Sequence, residues 1–419
     1  MNCVLRRAKI VDKVSPFHLQ TKDILIRSGR IEDIGSNLEL PDDTFIEVQH
    51  NELHVSYGWF DSSVSFGEPG YEERETIAHG LKVAAHAGFT DIALNPDMYP
   101  LPDTQATISL LISKSSENPV SLHPVASLTV GSKGQDLAEL YDMWHAGAVA
   151  FGDYKKWLSN TNLLKIALQY VQGFGGMIQS FPLDTTLAGK GVMNEGAPST
   201  RLGLKGIPAL SESVAIARDL QVLEYTGGAL HIPTISTAAS VALIREAKNK
   251  GLNVSCSVAV AQLCLTDQAL IDFDTRYKVI PPLRSIHDVE ALRNGVIEGT
   301  IDMITSDHRP VDIEHKRVEF EYAMYGSVGL DCCYSILQTI LTTEQIVERL
   351  TAGHQIFKKR NVSIKRGDEA RLTLFTPLGE KTLSENQLRS TSKNCAFTGM
   401  ETKGSVIGII AKNQLQTNP

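Results

Sequence analysis

The sequence predicts an α/β protein: a closed (β/α)8 barrel, or TIM barrel, with a small β-sheet domain built from both chain ends. From about residue 54 to 345, apolar strand-like runs alternate with stretches of helical spacing, whereas both ends of the chain contain strand-like runs only. A strand followed by a helix, repeated over about 290 residues, gives a parallel sheet, and this length suits a closed barrel. We therefore assign residues 54–345 to the barrel, and residues 1–53 and 346–419 to the two parts of the small domain.

The individual elements follow in order along the chain. The N-terminal part has strand-like runs over residues 3–11, 23–27 and 30–35. In the barrel part, strand-like runs begin near residues 90, 148, 175, 228, 253 and 301. Apolar residues recur three and four positions apart over residues 75–87 and 236–248, which predicts amphipathic helices. The tail returns to strands over residues 370–375 and 404–410.

Composition and charge exclude several classes of protein. The chain has 419 residues, 42% of them hydrophobic and 21% charged, which is an ordinary balance for a globular protein with a sizeable core. The net charge of -8 argues against a nucleic-acid partner, which requires a basic surface. No apolar run approaches the length of a membrane span. No apolar stretch follows the charges at residues 6 and 7, so we expect no signal peptide. The six cysteines form no C-x-x-C pair, so we expect free thiols in the cytoplasm.

The segment after the first predicted barrel strand carries a family resemblance. Asp61 and the sequence Glu68-Pro69-Gly70 keep the frame of a motif that resembles dihydroorotases and allantoinase-like amidohydrolases. In that family the strand ends in Asp-x-His-x-His and is followed by Leu-Arg-Glu-Pro-Gly. Here Ser63 and Ser65 occupy the two histidine positions, and Gly67 occupies the arginine position.

The resemblance continues over almost the whole chain, with further changes at the positions where the family has its functional residues. Asp97 stands where the family has a substrate-contacting asparagine, and Ile280 stands at the asparagine of Lys-Val-Asn-Pro-Pro-Leu-Arg. Thr234, in His231-Ile-Pro-Thr-Ile-Ser-Thr, replaces a ligand histidine, and Phe181 falls at or near another.

Two carboxylates remain at positions that the resemblance marks as functional. Asp153 matches members with an aspartate where others have a bridging carbamylated lysine, and Asp307 matches the catalytic aspartate. Asp153 has a second interpretation, a surface-loop charge paired with a lysine, because Tyr154-Lys-Lys follows it. For Asp307 we favour a structural carboxylate near the barrel mouth over a vestigial catalytic base. We interpret His231 and His308 as core histidines, and Glu314-His-Lys316 as a solvated turn.

These replacements predict that the protein holds no zinc. The resemblance implies a zinc site, but zinc prefers imidazole, thiolate or carboxylate ligands, and hydroxyls and a phenyl ring are poor substitutes. Asp153 and Asp307 alone are too few for zinc, although they leave open a harder cation such as magnesium in a mostly aqueous shell. The substrate side changes too, because Gly67, Asp97 and Ala261 or Gln262 stand where the family binds the dihydroorotate carboxylate. We expect Asp97 to repel an anionic substrate.

The resemblance therefore suggests a non-catalytic dihydroorotase homologue of de novo pyrimidine biosynthesis. Inactive subunits of this kind support aspartate transcarbamoylase, which suggests that enzyme as a partner, and family members commonly form homo-oligomers. One alternative is an active dihydroorotase, or a related cyclic-amide hydrolase, whose atypical metal site uses Asp153 and Asp307. A second alternative is a small-molecule binding protein, because Gly67, Ser63, Ser65 and Thr234 would leave a roomier, hydroxyl-lined pocket at the barrel mouth.

Overall fold

The structure is a computed structural model that describes residues 1–40, 42 and 44–418. Its strands are β1 (Cys3–Ile10), β2 (Thr21–Arg27), β3 (Arg30–Gly35), β4 (Ile46–Val48), β5 (His54–Tyr57), β6 (Trp59–Val64), β7 (Phe89–Leu94), β8 (Ser121–Ala126), β9 (Ala150–Phe151), β10 (Ile178–Gln179), β11 (Met193–Asn194), β12 (Gly206–Ile207), β13 (Leu230–Ile232), β14 (Val254–Ala259), β15 (Met303–Thr305), β16 (Leu372–Thr382), β17 (Glu401–Ala411) and β18 (Gln414–Thr417). Its α-helices are α1 (Ile77–His86), α2 (Gln105–Lys114), α3 (Leu140–Ala146), α4 (Thr161–Gln172), α5 (Thr185–Ala188), α6 (Ala197–Leu202), α7 (Leu210–Thr226), α8 (Ala238–Asn249), α9 (Val260–Cys264), α10 (Ile286–Glu298), α11 (Cys333–Leu337), α12 (Thr343–Thr351) and α13 (Gly353–Lys358).

The central element is a parallel barrel whose strands follow one another in chain order. The sheet runs β6-β7-β8-β9-β10-β13-β14-β15, and each neighbouring pair is parallel. The barrel closes where Val64 forms a parallel bridge with His308 and the Ser65 amide donates to the His308 carbonyl at 2.8 Å. β6 and β7 are buried along their whole length, as expected for strands covered on both faces. The predicted TIM barrel is confirmed.

The helices of the barrel begin where the sequence supplies a cap. α1 starts after Thr76, whose hydroxyl accepts a hydrogen bond from the His79 amide, and α8 starts after Thr237, which caps the Ser240 amide in the same way. A threonine in this position satisfies one of the amides that have no partner inside the helix. Both helices lie in the stretches whose spacing predicted them, at 75–87 and 236–248.

The two chain ends form one separate mixed sheet, as predicted. Its order is β18-β17-β16-β5-β1-β2-β3, and β4 pairs with β1. β5 belongs to this sheet, whereas α12 and α13 pack against barrel strand β6. β5 therefore belongs to the small sheet although the sequence suggested the barrel for residues 54–345, and α13 contacts the barrel although the sequence suggested the small domain for residues 346–419. α12 spans the suggested boundary at 345/346. Among the described residues, no helix is both long enough and apolar enough to cross a membrane.

Candidate functional site

The positions singled out by the sequence converge at the carboxyl ends of the barrel strands, where TIM barrels place their reactive groups. Ser63 lies in β6, Lys155 follows β9, Thr234 follows β13 and Asp307 follows β15. Residues from five strand ends line a small cavity there: Ser63, Asn95, Tyr154, Lys155, Gln179, Phe181, Pro233 and Thr234. This cavity is the candidate site.

The centre of the site is an ion pair between Lys155 and Asp307. Lys155 Nζ lies 2.7 Å from Asp307 Oδ2, and both side chains are 9% exposed. The other oxygen, Asp307 Oδ1, accepts a hydrogen bond from Ser63 Oγ at 2.9 Å. Burial lowers the pKa of the Lys155 amine, and the Asp307 carboxylate acts in the opposite direction. Both oxygens of the carboxylate that the resemblance marks as catalytic thus have partners within the chain.

The two serines that replace the family's histidines belong to a buried network of hydroxyls. Asn95 Nδ2 donates to Ser63 Oγ at 3.1 Å and lies 3.3 Å from Ser65 Oγ. Ser63, Ser65 and Asn95 are all buried. Each hydroxyl therefore has a neutral neighbour within hydrogen-bonding distance.

Asp61 joins the first barrel strand to the last. It accepts hydrogen bonds from the amides of Ser63 at 3.1 Å and Ser306 at 3.0 Å, and from the Thr305 hydroxyl. The side chain is fully buried, and burial raises its pKa to about 6. Asp61 thus satisfies buried backbone and hydroxyl donors of the first and last barrel strands.

Asp153 is bonded to the connection that follows β8. Its oxygens accept from the amides of Leu128 at 3.0 Å and Thr129 at 3.1 Å, and from Thr129 Oγ1 at 2.6 Å. Burial raises its pKa. The interpretation of Asp153 as a surface charge is wrong, because the residue is buried, and the nearby lysine pairs with Asp307 instead.

The remaining ligand position, Phe181, and the former substrate position, Ile280, lie in one apolar cluster. Both are buried with Ala188 and Ile207, and Tyr325 packs against the group. Phe181 and Ile280 thus put apolar side chains at two positions where the family has polar ones, and the shared cluster removes both side chains from water. Thr234 lies nearby with a φ of 49°, where a β-branched residue is strained.

The cavity itself is far smaller than the sequence suggested. It offers about 10 Å³, close to the minimum that one water molecule requires. Tyr154 and Lys155 take up the space, since the Tyr154 ring lies 5.4 Å from Lys155 Nζ and 5.8 Å from the Arg309 guanidinium. The expectation of a roomier pocket at the mouth is wrong, because the serines and threonine are small but their neighbours are not.

The former anion-binding positions also differ from expectation. Gly67 has a φ of 125°, and a Cβ there would lie 2.5 Å from the Tyr71 carbonyl, so this backbone has no room for an arginine. Asp97 is paired with Arg309, whose Nε lies 2.8 Å from Asp97 Oδ2. The predicted repulsion of an anion by Asp97 neglected this cation, which offsets its charge.

Sequence reasoning missed the cations of the site. Lys155 was visible only as part of Tyr154-Lys-Lys, and Arg309 only as the second residue after Asp307. The available signal was the presence of one additional cation for each carboxylate of the site: Lys155 for the retained Asp307, and Arg309 for the new Asp97. Lys316, interpreted as part of a solvated turn, is buried and donates to the Thr275 carbonyl at 2.9 Å. His231 is a buried histidine, with Nδ1 2.9 Å from Ser255 Oγ.

Comparisons with known proteins agree with this architecture. The dihydro-orotase-like family model matches residues 54–240. The chain is 36% identical to a dihydroorotase of Geotalea daltonii, over 97% of this chain and 96% of the relative. It is 38% identical to a dihydroorotase of Pelotomaculum thermopropionicum, over 96% of both chains. Among solved structures, an L-hydantoinase (dihydropyrimidinase) from Arthrobacter aurescens has a TM-score of 0.87 at 20% identity, covering 100% of this chain and 96% of that chain.

The fold and the position of the site define a TIM-barrel protein whose candidate site lies at the carboxyl ends of the barrel strands. The chain belongs to the dihydroorotase family, as its similarity to those enzymes over nearly its full length shows.

The zinc that the family resemblance implies does not fit the residues present. Its positions hold hydroxyls at Ser63, Ser65 and Thr234 and a phenyl ring at Phe181, and Asp307 is bonded to an ammonium group. Within residues 1–40, 42 and 44–418, no three His, Cys, Asp or Glu side chains are grouped closely enough to hold a metal ion. Asp153 and Asp307, the pair suggested for magnesium, are bonded to different partners.

Proposed function

We propose that this protein is a non-catalytic dihydroorotase homologue of de novo pyrimidine biosynthesis, and that it acts in the cytoplasm as a structural partner of aspartate transcarbamoylase. The observation that carries the proposal is the Lys155–Asp307 ion pair. It puts a fixed ammonium group against the carboxylate that the resemblance assigns to proton transfer.

Hydrolysis of this kind needs a water whose pKa is lowered by a metal, and a carboxylate free to move its proton. Asp307 has its two oxygens engaged by Lys155 and Ser63. The cavity beside it has room for about one water molecule and none for a cyclic amide. The arrangement therefore supports an inert barrel mouth.

The two alternative functions have less support. An atypical metal site needs Asp153 and Asp307 to share a cation, but Asp153 is bonded to the amides of Leu128 and Thr129. A small-molecule binding protein needs a pocket at the mouth, and Lys155, Tyr154 and Phe181 line a cavity too small for one.

The test of catalysis is metal content and turnover measured on the same preparation. The full chain is purified without chelator, incubated with zinc, desalted and assayed for zinc and for dihydroorotate turnover in both directions. Asp307→Asn is the matched control. We expect substoichiometric zinc and equal background rates in the two proteins. Near-stoichiometric zinc, with turnover that Asp307→Asn abolishes, would contradict the proposal.

The test of the partner is direct. The protein is mixed with purified aspartate transcarbamoylase of the same organism and run on size exclusion with light scattering. We expect a joint peak and a change in the thermal stability of the transcarbamoylase. Independent migration at micromolar concentration would remove this partner and leave the non-catalytic assignment intact. The free cysteines are compatible with the proposed cytoplasmic location, where thiols stay reduced.

A further inference from the structure

A polar cleft lies where the barrel meets the small sheet, apart from the candidate site. Its walls come from the end of α1 and the start of α11 on the barrel side, and from β16, β17 and the residue after β18 on the other side. Its volume is about 560 Å³, whereas the cavity of the candidate site offers about 10 Å³, and the two have no lining residue in common. The cleft is therefore large enough for a small-molecule ligand.

Two cations line this cleft without a counter-charge. Lys381, near the end of β16, and Arg389, in the connection to β17, are both exposed. In the part of the chain that the structure describes, neither charged group forms an ion pair, and Arg389 is held through its backbone amide, which donates to Asp331 at 2.6 Å. Gln387 adds a donor, because its Oε1 already accepts from the Ser384 amide at 2.9 Å and leaves Nε2 over. Positive charge together with spare donors is the composition of an anion site.

Asp331 also lines the cleft, but the oxygens of this carboxylate are occupied within the chain. Besides the Arg389 amide on Oδ1, Oδ2 accepts from the Ser390 amide at 3.4 Å and from the Ser390 hydroxyl. These three donors offset the negative charge of Asp331, so it does not cancel the two cations. The lining thus carries positive charge in a chain whose overall net charge is -8.

The walls of the cleft are fixed before any ligand arrives. Asn418 Nδ2 donates to the His86 carbonyl at 2.9 Å and to the Val406 carbonyl at 2.8 Å, which ties the chain end to α1 and β17. On the other wall, the Tyr334 ring packs 5.1 Å from the Trp59 ring. A preformed site of this kind loses little entropy when a ligand binds.

We propose that this cleft binds a small phosphorylated ligand of the sugar phosphate class, with its phosphate held by Lys381 and Arg389. A phosphate monoester carries close to two negative charges near neutral pH, which matches the two cations. A guanidinium binds two phosphate oxygens through parallel N–H groups, and an ammonium adds a compact charge beside it.

The rest of the lining favours a hydroxyl-rich body over a flat aromatic one. Tyr334 is 2% exposed and offers no free ring face for stacking, and the His86 ring is bonded to Asn418. Ser405 and Asn386 instead present polar groups that suit the hydroxyls of a sugar. A nucleic acid is a poor occupant, because the chain as a whole repels a long polyanion.

This inference goes beyond the proposed function and does not depend on it. Since the lining comes from both the barrel and the small sheet, a bound ligand contacts both units at once. Binding to the folded chain alone raises its stability by mass action, so the cleft makes the attachment of the two units responsive to a metabolite.

The test is isothermal titration calorimetry on the full chain in a buffer free of phosphate. Glucose 6-phosphate is the probe, and glucose, inorganic phosphate and citrate are compared with it. We expect glucose 6-phosphate to bind with a dissociation constant below about 1 mM and more tightly than inorganic phosphate, and we expect no signal from glucose. The thermal midpoint should rise with the concentration of glucose 6-phosphate.

The substitutions that assign the site are Lys381→Gln with Arg389→Gln. This double variant should raise the dissociation constant at least about tenfold, because it removes two charge-assisted hydrogen bonds to the phosphate. The matched control, Arg201→Gln with Lys205→Gln, removes the same charge at exposed positions outside the cleft and should leave the dissociation constant unchanged. Circular dichroism should show that both double variants are folded.

Several results would each overturn the inference: no binding of glucose 6-phosphate at about 10 mM, equal binding of glucose, a dissociation constant that the cleft substitutions leave unchanged, or an equal loss in the control. Tighter binding of citrate than of glucose 6-phosphate would overturn the ligand class. None of these measurements involves zinc or turnover, so a failure here is distinct from a failure of the proposed function.

Discussion

Removing the Lys155 ammonium gives the strongest test of the candidate site. Lys155→Met keeps most of the side-chain volume but leaves the buried Asp307 carboxylate without its counter-charge. Loss of one partner from a buried ion pair costs about 3–5 kcal/mol, because the remaining charge stays desolvated. The hydrogen bond from Ser63 Oγ to Asp307 Oδ1 remains and offsets part of this, so we expect about 3 kcal/mol.

The partner substitution and the double variant isolate the interaction. Asp307→Asn keeps an acceptor for Lys155 and should cost less, about 1–3 kcal/mol. In the double variant no buried charge is left alone, and it should be more stable than the sum of the single effects by about 2 kcal/mol. The comparison pair is Lys250–Glu246, which is at least half exposed and should couple by less than about 0.5 kcal/mol.

Urea unfolding at neutral pH, followed by tryptophan fluorescence and circular dichroism, measures each free energy of unfolding. The reasoning is refuted if the free energy of unfolding of Lys155→Met stays within about 1 kcal/mol of the wild-type value. Ordinary surface substitutions change this free energy by up to about 0.5 kcal/mol, so a smaller effect would not differ clearly from theirs. Strict additivity of the two single substitutions would refute it as well, since it would mean that the two charges do not interact.

Three further predictions concern other parts of the site. Burial lowers the pKa of His231 from 6.5 to about 3, so the unfolded chain takes up a proton that the folded chain refuses. Between about pH 6.5 and about pH 3, this residue should lower stability by about 1.4 kcal/mol for each unit of pH, and His231→Gln should remove that share of the loss in urea midpoints measured over this range. The share of His308, whose pKa burial also lowers to about 3, should remain in the variant. Gly67→Arg should lower the thermal midpoint and create no affinity for carboxylates in calorimetry, because its Cβ would meet the Tyr71 carbonyl. Glu212 is buried, and its Oε1 accepts from the amides of Ser236 and Thr237 at the start of α8. Glu212→Gln removes the charge and puts an amide donor in place of Oε2, which lies 3.9 Å from the Arg284 guanidinium, and should cost about 2–3 kcal/mol in urea unfolding.

The barrel was predictable from the sequence because its strands are buried on both faces and appear as apolar runs between helical stretches. The altered positions, such as Ser63 and Thr234, were visible because the residues around them keep their spacing. The ion pairs that occupy the carboxylates of the site could not be predicted from the sequence. Lys155 meets Asp307 across 152 residues and Arg309 meets Asp97 across 212, and local pattern carries no information about such pairs.

The size of the cavity was also beyond sequence reasoning. Replacing histidines by serines suggests space, because each change removes a ring. Side chains from other elements occupy that space: Tyr154 and Lys155, which follow β9, and Phe181, which follows β10. Interiors pack to nearly uniform density, so the volume at one position depends on neighbours that are distant in the chain.

The closure of the barrel by Val64 and His308 has a consequence for how the chain folds. That joint, with the Asp61 contacts beside it, connects residues 244 positions apart. Contacts at such separation form slowly, because the chain between them must first be ordered. During synthesis β6 therefore stays an unpaired strand edge until β15 has left the ribosome, and such edges associate with other chains. A weakened joint would first appear as aggregates during expression, before any change in the finished protein.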